Sequence, residues 1–429
     1  MNSFLIWAND IPIDWEILAV KVLGKYVVSS VDKIPSEDEN PVLLCNYSEV
    51  YNNDFITSDI QFMKGTATLE EKKKFSLRDG DLIITKDSES WDDIGVPSLV
   101  IENIPELICG YHLAIIRPDK KRILPQFLFR CLQSKDIRLQ LELSSTGVTR
   151  FGLPKEAIGS MKVPVPSIEK QNEIVAFLEK EIVRIDKLIE TKQQLIDILS
   201  EKRQILITEG IVNGVNPNVS MKDSGIDWLG SIPMHWNTER TRWLFKERNE
   251  RSENGEEEML TVSHITGVTP RSEKNVNMFQ AESTAGYKKC NKGDLVINTL
   301  WAWMGAMGIA PMEGIVSPAY HVYTPCSLLL PEFVDAIVRL PIFAAEVTRY
   351  SKGVWSSRLR LYPEGFYEVY FPVPPINEQR EIVNNIRKET KKIDQLKTIT
   401  ERSIGLLKER RAALISAAVT GQIEIAEEV

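Results

Sequence analysis

Hydrophobic positions along the 429-residue chain follow two regimes. In two long stretches they recur at alternating steps of three and four. Elsewhere they come in short apolar runs broken by turn residues. The first periodic stretch lines up Ile168, Gln171, Val175, Leu178, Ile182, Ile185, Ile189, Lys192, Ile196, Leu199, Arg203 and Leu206. The second lines up Ile376, Gln379, Val383, Ile386, Thr390, Ile393, Lys397, Thr400, Ile404, Leu407, Arg411 and Leu414. Such alternation is the a/d seam of a coiled coil. No proline falls between Ser167 and Asn216 or after Pro375, so each stretch can run as one helix, roughly 60 Å long at about 1.5 Å per residue. The proline-rich segments Val163 to Pro166 and Phe371 to Pro375 forbid helix just upstream and fix each start. Ordinary core helices average about 12 residues, so the pattern predicts two long helices that pair in antiparallel, with the polar seam positions helping to set register.

The remaining sequence reads as mixed α/β. Strand-like runs include Asp81 to Thr85, His112 to Ile116 and Leu295 to Ile297, and helical stretches follow Pro125 and Pro331. Asn52 to Asp54, Pro118-Asp119 and Lys292 to Asp294 mark turns, and the polar stretch from Asn213 to Ser224 reads as a linker.

The chain also repeats itself, at a period near half its length. Trp7, Ile11, Pro12 and Trp15 match Trp228, Ile232, Pro233 and Trp236. Gly80 to Ile84 matches Gly293 to Ile297, Tyr111-His112 matches Tyr320-His321, and Leu124 to Phe127 matches Leu330 to Phe333. Gly147-Val148 matches Gly353-Val354. Val163 to Pro166 followed by Ile168, Gln171 and Glu173 to Val175 matches Phe371 to Pro374 followed by Ile376, Gln379 and Glu381 to Val383. Matches kept in one order imply two copies of a head-and-tail unit. The expected fold is therefore an α/β (α+β) tandem repeat: two mixed α/β heads separated by two long helices pairing as an antiparallel coiled coil. The boundaries expected are a head at 1–166, a long helix at 167–212, a linker at 213–224, a second head at 225–375, a second helix at 376–421 and a tail at 422–429.

Composition narrows the function classes. No apolar run approaches the roughly 20 residues of a membrane helix, and the opening residues lack a basic and apolar leader pattern, so the default compartment is the cytoplasm. Cys45, Cys109, Cys131, Cys290 and Cys326 are scattered, with no CxxC pair, and read as buried, inert thiols rather than a metal or disulfide framework. The net charge of −8 argues against an electrostatic DNA binder of the ordinary basic kind, yet it leaves room for a local basic groove.

Catalytic motifs are missing. No G-x-x-x-x-G-K-[ST] loop occurs to cradle phosphate. The segment nearest to an adenine methyltransferase motif, Asn216-Pro217-Asn218-Val219, lacks its aromatic, and Pro118-Asp119-Lys120-Lys121 reads as a turn rather than a nuclease motif. The two Tyr-His pairs read as packing or hydrogen-bonding elements, because no carboxylate or nucleophile recurs beside both at a fixed spacing.

The head-tail-head-tail order, with a Gly-Asp-Leu strand, a Gly-Val loop and a P-x-P-x-x-x-x-Q helix start in both copies, resembles the specificity subunit of type I restriction-modification systems. The resemblance implies two target-recognition domains, each reading one half of a split, non-palindromic DNA site, with the helices acting as spacer and as docking surface. It implies two methyltransferase subunits as partners, restriction and translocase subunits joining that core, and no chemistry in this chain; S-adenosylmethionine, ATP and Mg would be held by the partners. A groove reader needs cations for phosphates and forked or aromatic side chains for bases. The candidates are Lys64, Lys72, Lys73, Lys74, Lys86, Thr149 and Arg150 in the first head, and Arg271, Lys288, Lys289, Asn298, Trp301, Trp303, Lys352, Arg358 and Arg360 in the second. Arginines following a Gly-Val loop in both copies mark the favoured place. A coiled-coil scaffold displaying two protein-binding heads is the competing reading; it leaves those paired loops unexplained.

Overall fold

The computed structural model describes residues 6–9, 11–32, 34–273, 283–353 and 359–423. They form two compact units: residues 1–193 with 402–429, and residues 194–401. Each unit is a mixed α/β head to which segments of both long helices, Ile168–Asn213 and Ile376–Val419, are packed.

The first head is built on a five-stranded sheet in the order Gly24–Val28, Leu113–Pro118, Leu82–Thr85, Pro97–Val100, Phe55–Ile56. Its central strands are apolar on both faces because both are covered. Leu82, Ile84, Ala114 and Ile116 face one core together with Phe127, Leu128 and Leu132 of the helix Pro125–Gln133. Ile83, Leu113 and Ile115 face another, shared with a three-stranded sheet of Met63–Ala67, Asn40–Cys45 and Leu107–Cys109. The second head repeats the plan with a four-stranded sheet in the order Phe245–Arg248, His321–Pro325, Leu295–Ile297, Met307–Ile309. Its cover is the helix Pro331–Val338, which, like Pro125–Gln133, opens on proline at the position where a missing N–H costs nothing. The stretch read as a linker carries more order than its polarity suggested, since Met221–Asp223 pairs as a strand with Ser231–Pro233.

Two repeated motifs acquire the same physical meaning in both copies. The aspartate of each Gly-Asp-Leu motif is buried. Asp81 accepts from Arg117 Nε at 2.7 Å and from the Arg78 N–H at 2.9 Å. Asp294 accepts from Arg248 Nε at 2.7 Å and from the Asn291 N–H at 2.8 Å. The preceding glycines sit at φ +88° and +92°, where a side chain is strained. The motif is thus a turn lock.

The other motif is the glutamine at the start of each long helix. Gln171 and Gln379 stood in the seam pattern, but the structure gives them a separate task. Both are fully buried. Gln171 Oε1 accepts from the Leu124 N–H at 2.8 Å, while its Nε2 donates to Pro166 O at 2.9 Å and Arg122 O at 3.2 Å. Gln379 repeats this with the Leu330 N–H at 2.8 Å, Pro374 O at 2.9 Å and Leu328 O at 2.8 Å. One amide therefore joins the start of the long helix to the N-cap of the head's covering helix.

The rest of the seam is the packed side of both helices. In the first unit Ile174, Leu178 and Ile182 share a core with Ile415, Ala418 and Val419, and Arg411 Nε binds Asp186 at 3.0 Å and Arg411 Nη2 binds Asp54 at 2.8 Å. In the second unit Lys397 Nζ meets Ser200 at 2.9 Å, Arg203 Nε meets Asp394 at 3.0 Å, and Gly210 lies against Ile386 and Ile382. Partner numbers fall as helix numbers rise, so the pairing is antiparallel. The buried polar seam residues Thr390 and Thr400 donate to their own helix, at Ile386 O and Leu396 O, both at 2.7 Å.

The glutamine locks can be weighed directly. Gln379→Leu leaves a buried N–H and two carbonyls without partners and is expected to destabilise the second unit by about 3 kcal/mol. Gln171→Leu should do the same to the first. Thermal melts of each variant should show one earlier transition with the other in place; parent-like melting of both variants would show that the amides do not hold the heads.

Candidate functional site

In the first unit three segments converge at one end of the five-stranded sheet: the turn after Leu82–Thr85, the loop before Leu113–Pro118, and a hairpin of Thr146–Gly147 with Phe151–Gly152. Register makes the convergence explicit. Phe151 pairs with Ser88 and Gly152 with Asp87, the Lys86 N–H donates to His112 O at 2.8 Å, and the Leu153 N–H donates to Lys86 O at 2.9 Å. Gly147 makes the hairpin possible. Its φ is +147°, and a Cβ there would lie 1.9 Å from Arg150 O. The turn it closes presents Val148, Thr149 and Arg150 outward, with Val148 92% exposed.

At the centre lies His112, whose φ of +70° is costly for a residue with a side chain. Its ring is fixed on two sides. Nδ1 lies 2.6 Å from Asp87 Oδ2, and Arg150 Nη2 lies 3.1 Å from Nε2. With the proton on Nδ1, the imidazole donates to the carboxylate, while the guanidinium nitrogen, also 3.3 Å from Nδ1, lies across the ring. Lys86 Nζ lies 3.1 Å from Asp87 and over the Tyr111 ring, which is half-exposed and set edge-on to His112. Tyr47, stacked on Tyr51, faces the same loops; burial and the charge of Asp93 raise its pKa, while Ser88 and Arg150 pull it down. The cluster offers a forked cation, an ammonium and aromatic faces held by hydrogen bonds.

The second unit brings the corresponding segments together. The Leu361 N–H donates to Thr299 O at 3.2 Å, matching the bond from Leu153 to Lys86. Lys352 and Arg360 exchange two backbone hydrogen bonds of 2.9 Å. His321 Nδ1 lies 2.9 Å from Glu247 Oε1, and burial lowers the His321 pKa against the opposing pull of that carboxylate. Lys288 is buried beside the same pair, and burial lowers its pKa in turn. Each head thus contains a histidine, a carboxylate and a lysine. The carboxylates come from different strands, Asp87 from Asp87–Ser88 and Glu247 from Phe245–Arg248, so no repeated spacing could reveal them. The sequence shows no carboxylate at a fixed spacing beside both Tyr-His pairs, and the spacings do differ, 25 residues to Asp87 in one head and 74 to Glu247 in the other.

The sequence candidates divide clearly. Lys86, Thr149 and Arg150 meet in the first cluster. Lys64 is exposed on Met63–Ala67, and Lys72, Lys73 and Lys74 ride on the helix Leu69–Phe75, where Lys72 pairs with Glu106 and Lys74 lies 4.9 Å from the Phe75 ring. In the second unit Lys288 is only 5% exposed, and Lys289 pairs with Glu257 at 3.0 Å. Asn298, expected to face solvent, is buried and spends its amide on Tyr320 Oη at 3.1 Å and Val262 O at 3.5 Å. Arg271 lies near Tyr320 and reaches Met259 Sδ at 3.5 Å. Trp301 is 48% exposed, and Trp303 stacks beneath it. Lys352 and Arg360 are exposed, Lys352 with Glu364 at 3.4 Å. Arg358 lies outside the described residues. Cys45, Cys109, Cys131 and Cys290 are buried and Cys326 is partly exposed; burial pushes the Cys290 thiol up to about 12. No helix of the described residues is long and apolar enough to cross a membrane.

Comparison with known proteins fits this geometry. Residues 14–198 match the family described as the type I restriction modification DNA specificity domain. The type I restriction enzyme MjaVIII specificity subunit of Methanocaldococcus jannaschii is 24% identical over 229 residues, 53% of this chain and 48% of its own length. The chain thus spans about half the length of the curated relatives it matches. Among solved structures, a chain from work on complex assembly and conformational transition of the type I R-M system superposes with a TM-score of 0.69 at 17% identity, covering 96% of this chain and 99% of that one. The HsdS subunit from Thermoanaerobacter tengcongensis gives 0.55 at 17% identity, covering 96% and 98%. The two structural likenesses establish the fold of two heads and a helix pair. The chain is therefore similar to type I restriction enzyme specificity subunits over about half its length, and its residues 14–198 match the type I restriction modification DNA specificity domain.

Proposed function

We propose that this chain is the DNA-reading subunit of a type I restriction-modification complex, each head reading one half of a bipartite, non-palindromic site. The observation that carries the reading is the duplicated loop cluster. In both heads a backbone bond, from Leu153 to Lys86 and from Leu361 to Thr299, brings a segment with exposed cations beside the strand that follows the Gly-Asp-Leu turn. Half-site asymmetry follows from the residues placed there, Lys86, Asp87 and Arg150 in one head and Thr299, Leu300 and Trp301 in the other. The net charge of −8 is no obstacle, since phosphate contacts depend on the surface presented.

In this reading the chain performs no catalysis. S-adenosylmethionine, ATP and Mg belong to partner subunits, and the assembly works in the cytoplasm. The long helices set the spacer and dock two methyltransferase subunits, to which restriction subunits add. Support for docking comes from a second apolar stripe lying off the seam: Val183, Leu188 and Leu406 are exposed in the first unit, and Leu195, Ile198, Ile205, Leu396 and Ile399 in the second.

Arg150 offers the sharpest test of the reading. Arg150→Ala should weaken binding to the methylated motif by about 1–3 kcal/mol and relax base preference within one half-site, if the guanidinium forks to a base edge. A phosphate contact would instead weaken all duplexes alike and lower the salt slope by about one unit. Binding titrations at several salt concentrations separate these outcomes, and parent-like binding in all of them would remove Arg150 from the interface.

The spacer is tested by length. Inserting one heptad after Lys192 and another after Thr400 keeps the seam in register and adds roughly 10 Å to each helix, about three base pairs of rise. Methylation profiling of the reconstituted complex should show a longer spacer between unchanged half-sites. An active variant with the parental spacer would refute the helices' role in setting it.

A further inference from the structure

The second head carries a feature that the first lacks. After Leu295–Ile297 the chain makes a tight turn, Asn298 to Ala306, containing a 3₁₀ segment at Ala302–Met304. Five backbone hydrogen bonds close it: the Trp301 N–H to Asn298 O at 3.0 Å, the Met304 N–H to Trp301 O at 3.0 Å, the Gly305 N–H to Ala302 O at 2.8 Å, the Ala306 N–H to Trp301 O at 3.1 Å, and the Asn298 N–H to Ala306 O at 3.0 Å. Ala302 and Ala306 are buried, and Gly305 sits at φ +84° against Ala344 of the helix Pro341–Arg349. The turn is therefore a rigid mount. On its outer side it displays indoles. Trp303 is fixed by donating Nε1–H to Leu300 O at 3.0 Å, and its ring forms a floor 6.1 Å from that of Trp301, 24° from parallel. Trp301 above it is 48% exposed, with Leu300 at 40% and Met304 at 38% beside it.

Packing does not account for this indole, since about half of it faces water. Its surroundings favour one class of occupant. The bond from Leu361 to Thr299 ties the segment carrying the exposed Arg360 and its strand partner Lys352 to the start of this turn, so the same loop cluster supplies an aromatic face and cations. An aromatic face next to a backbone-neutralising charge is the combination that holds a nucleic-acid base, and an apolar side chain on a rigid mount is what opens a base step. We propose that Trp301 stacks on a base of the second half-site, unstacking one step of the duplex, with Trp303 as its fixed support. The corresponding position of the first head is Ser88, so the distortion would be confined to one half of the site. This rests on the DNA-reading function proposed above.

The test uses the full chain with its methyltransferase partners and duplexes carrying the methylated motif, with 2-aminopurine placed at successive positions of each half-site. Away from the target adenines that the methyltransferase subunits turn out of the stack, parent protein should brighten 2-aminopurine at one step of one half-site. Trp301→Ala should abolish that brightening and weaken motif binding roughly 10- to 100-fold, with the salt slope unchanged because phosphate contacts remain. Trp301→Phe should keep most of both. Three results would overturn the proposal: brightening that persists in Trp301→Ala, a loss of affinity equal for all sequences, or loss of the methyltransferase subunits with DNA binding intact, which would mark the indoles as a protein contact. A parent complex without preference for motif DNA would instead sink the DNA-reading function itself, and this inference with it.

Discussion

The architecture depends on a pair of buried side-chain amides. A long helix leaving a small head has no inherent direction, since its seam specifies only which side is packed. Gln171 and Gln379 supply that direction by hydrogen-bonding the proline-rich segment behind them and the N-cap of the covering helix ahead. A buried amide must satisfy its donors and acceptor or cost more than an apolar residue would. Few geometries do so, and the helix start is confined to them. The Leu-Pro motif and the P-x-P-x-x-x-x-Q motif are thus two halves of one joint, 47 residues apart in one copy and 49 in the other.

Much of this was legible in the sequence because it is periodic or repeated. The seam residues Leu178, Ile182 and Ile185, and Val383, Ile386 and Ile393, are buried as a three-four alternation requires. The helices after Pro125 and Pro331 begin at those prolines. What pattern could not reach were contacts made by residues distant in sequence. Asn298 looks like a base-reading side chain, but Tyr320 and Val262 claim its amide. Lys288 reads as a surface cation yet is enclosed near Glu247 and His321. The polar stretch after Asn213 shows how a short strand can form through its pairing partner rather than its own composition.

The two loop clusters show where duplicated heads are free to diverge. The Gly-Asp turn and the glutamine joint are kept because a buried ion pair or amide that loses one partner leaves an uncompensated polar group. The loops at the sheet end carry no such constraint. There one head pairs His112 with a carboxylate from the next strand segment, and the other pairs His321 with one from an edge strand. Similar chemistry has been assembled from unrelated positions on a common scaffold, so either head can be rewritten without disturbing the other's joint.

The interleaving of the chain has a consequence for its synthesis. The first unit takes in residues 402–429 as well as 1–193, and Ile415, Ala418 and Val419 sit in its core. Ser134 and Ser416 are hydrogen-bonded across a separation of 282 residues. Domains usually fold in order as they leave the ribosome, at roughly 5–20 residues per second. Here the helix face that Ile415, Ala418 and Val419 cover stays open until those residues have emerged. The second unit, drawn from the continuous run 194–401, can close before it. The unit begun first is therefore completed after the second, and for some tens of seconds at those rates the nascent chain carries an apolar helical face that invites a chaperone or another copy of the same segment.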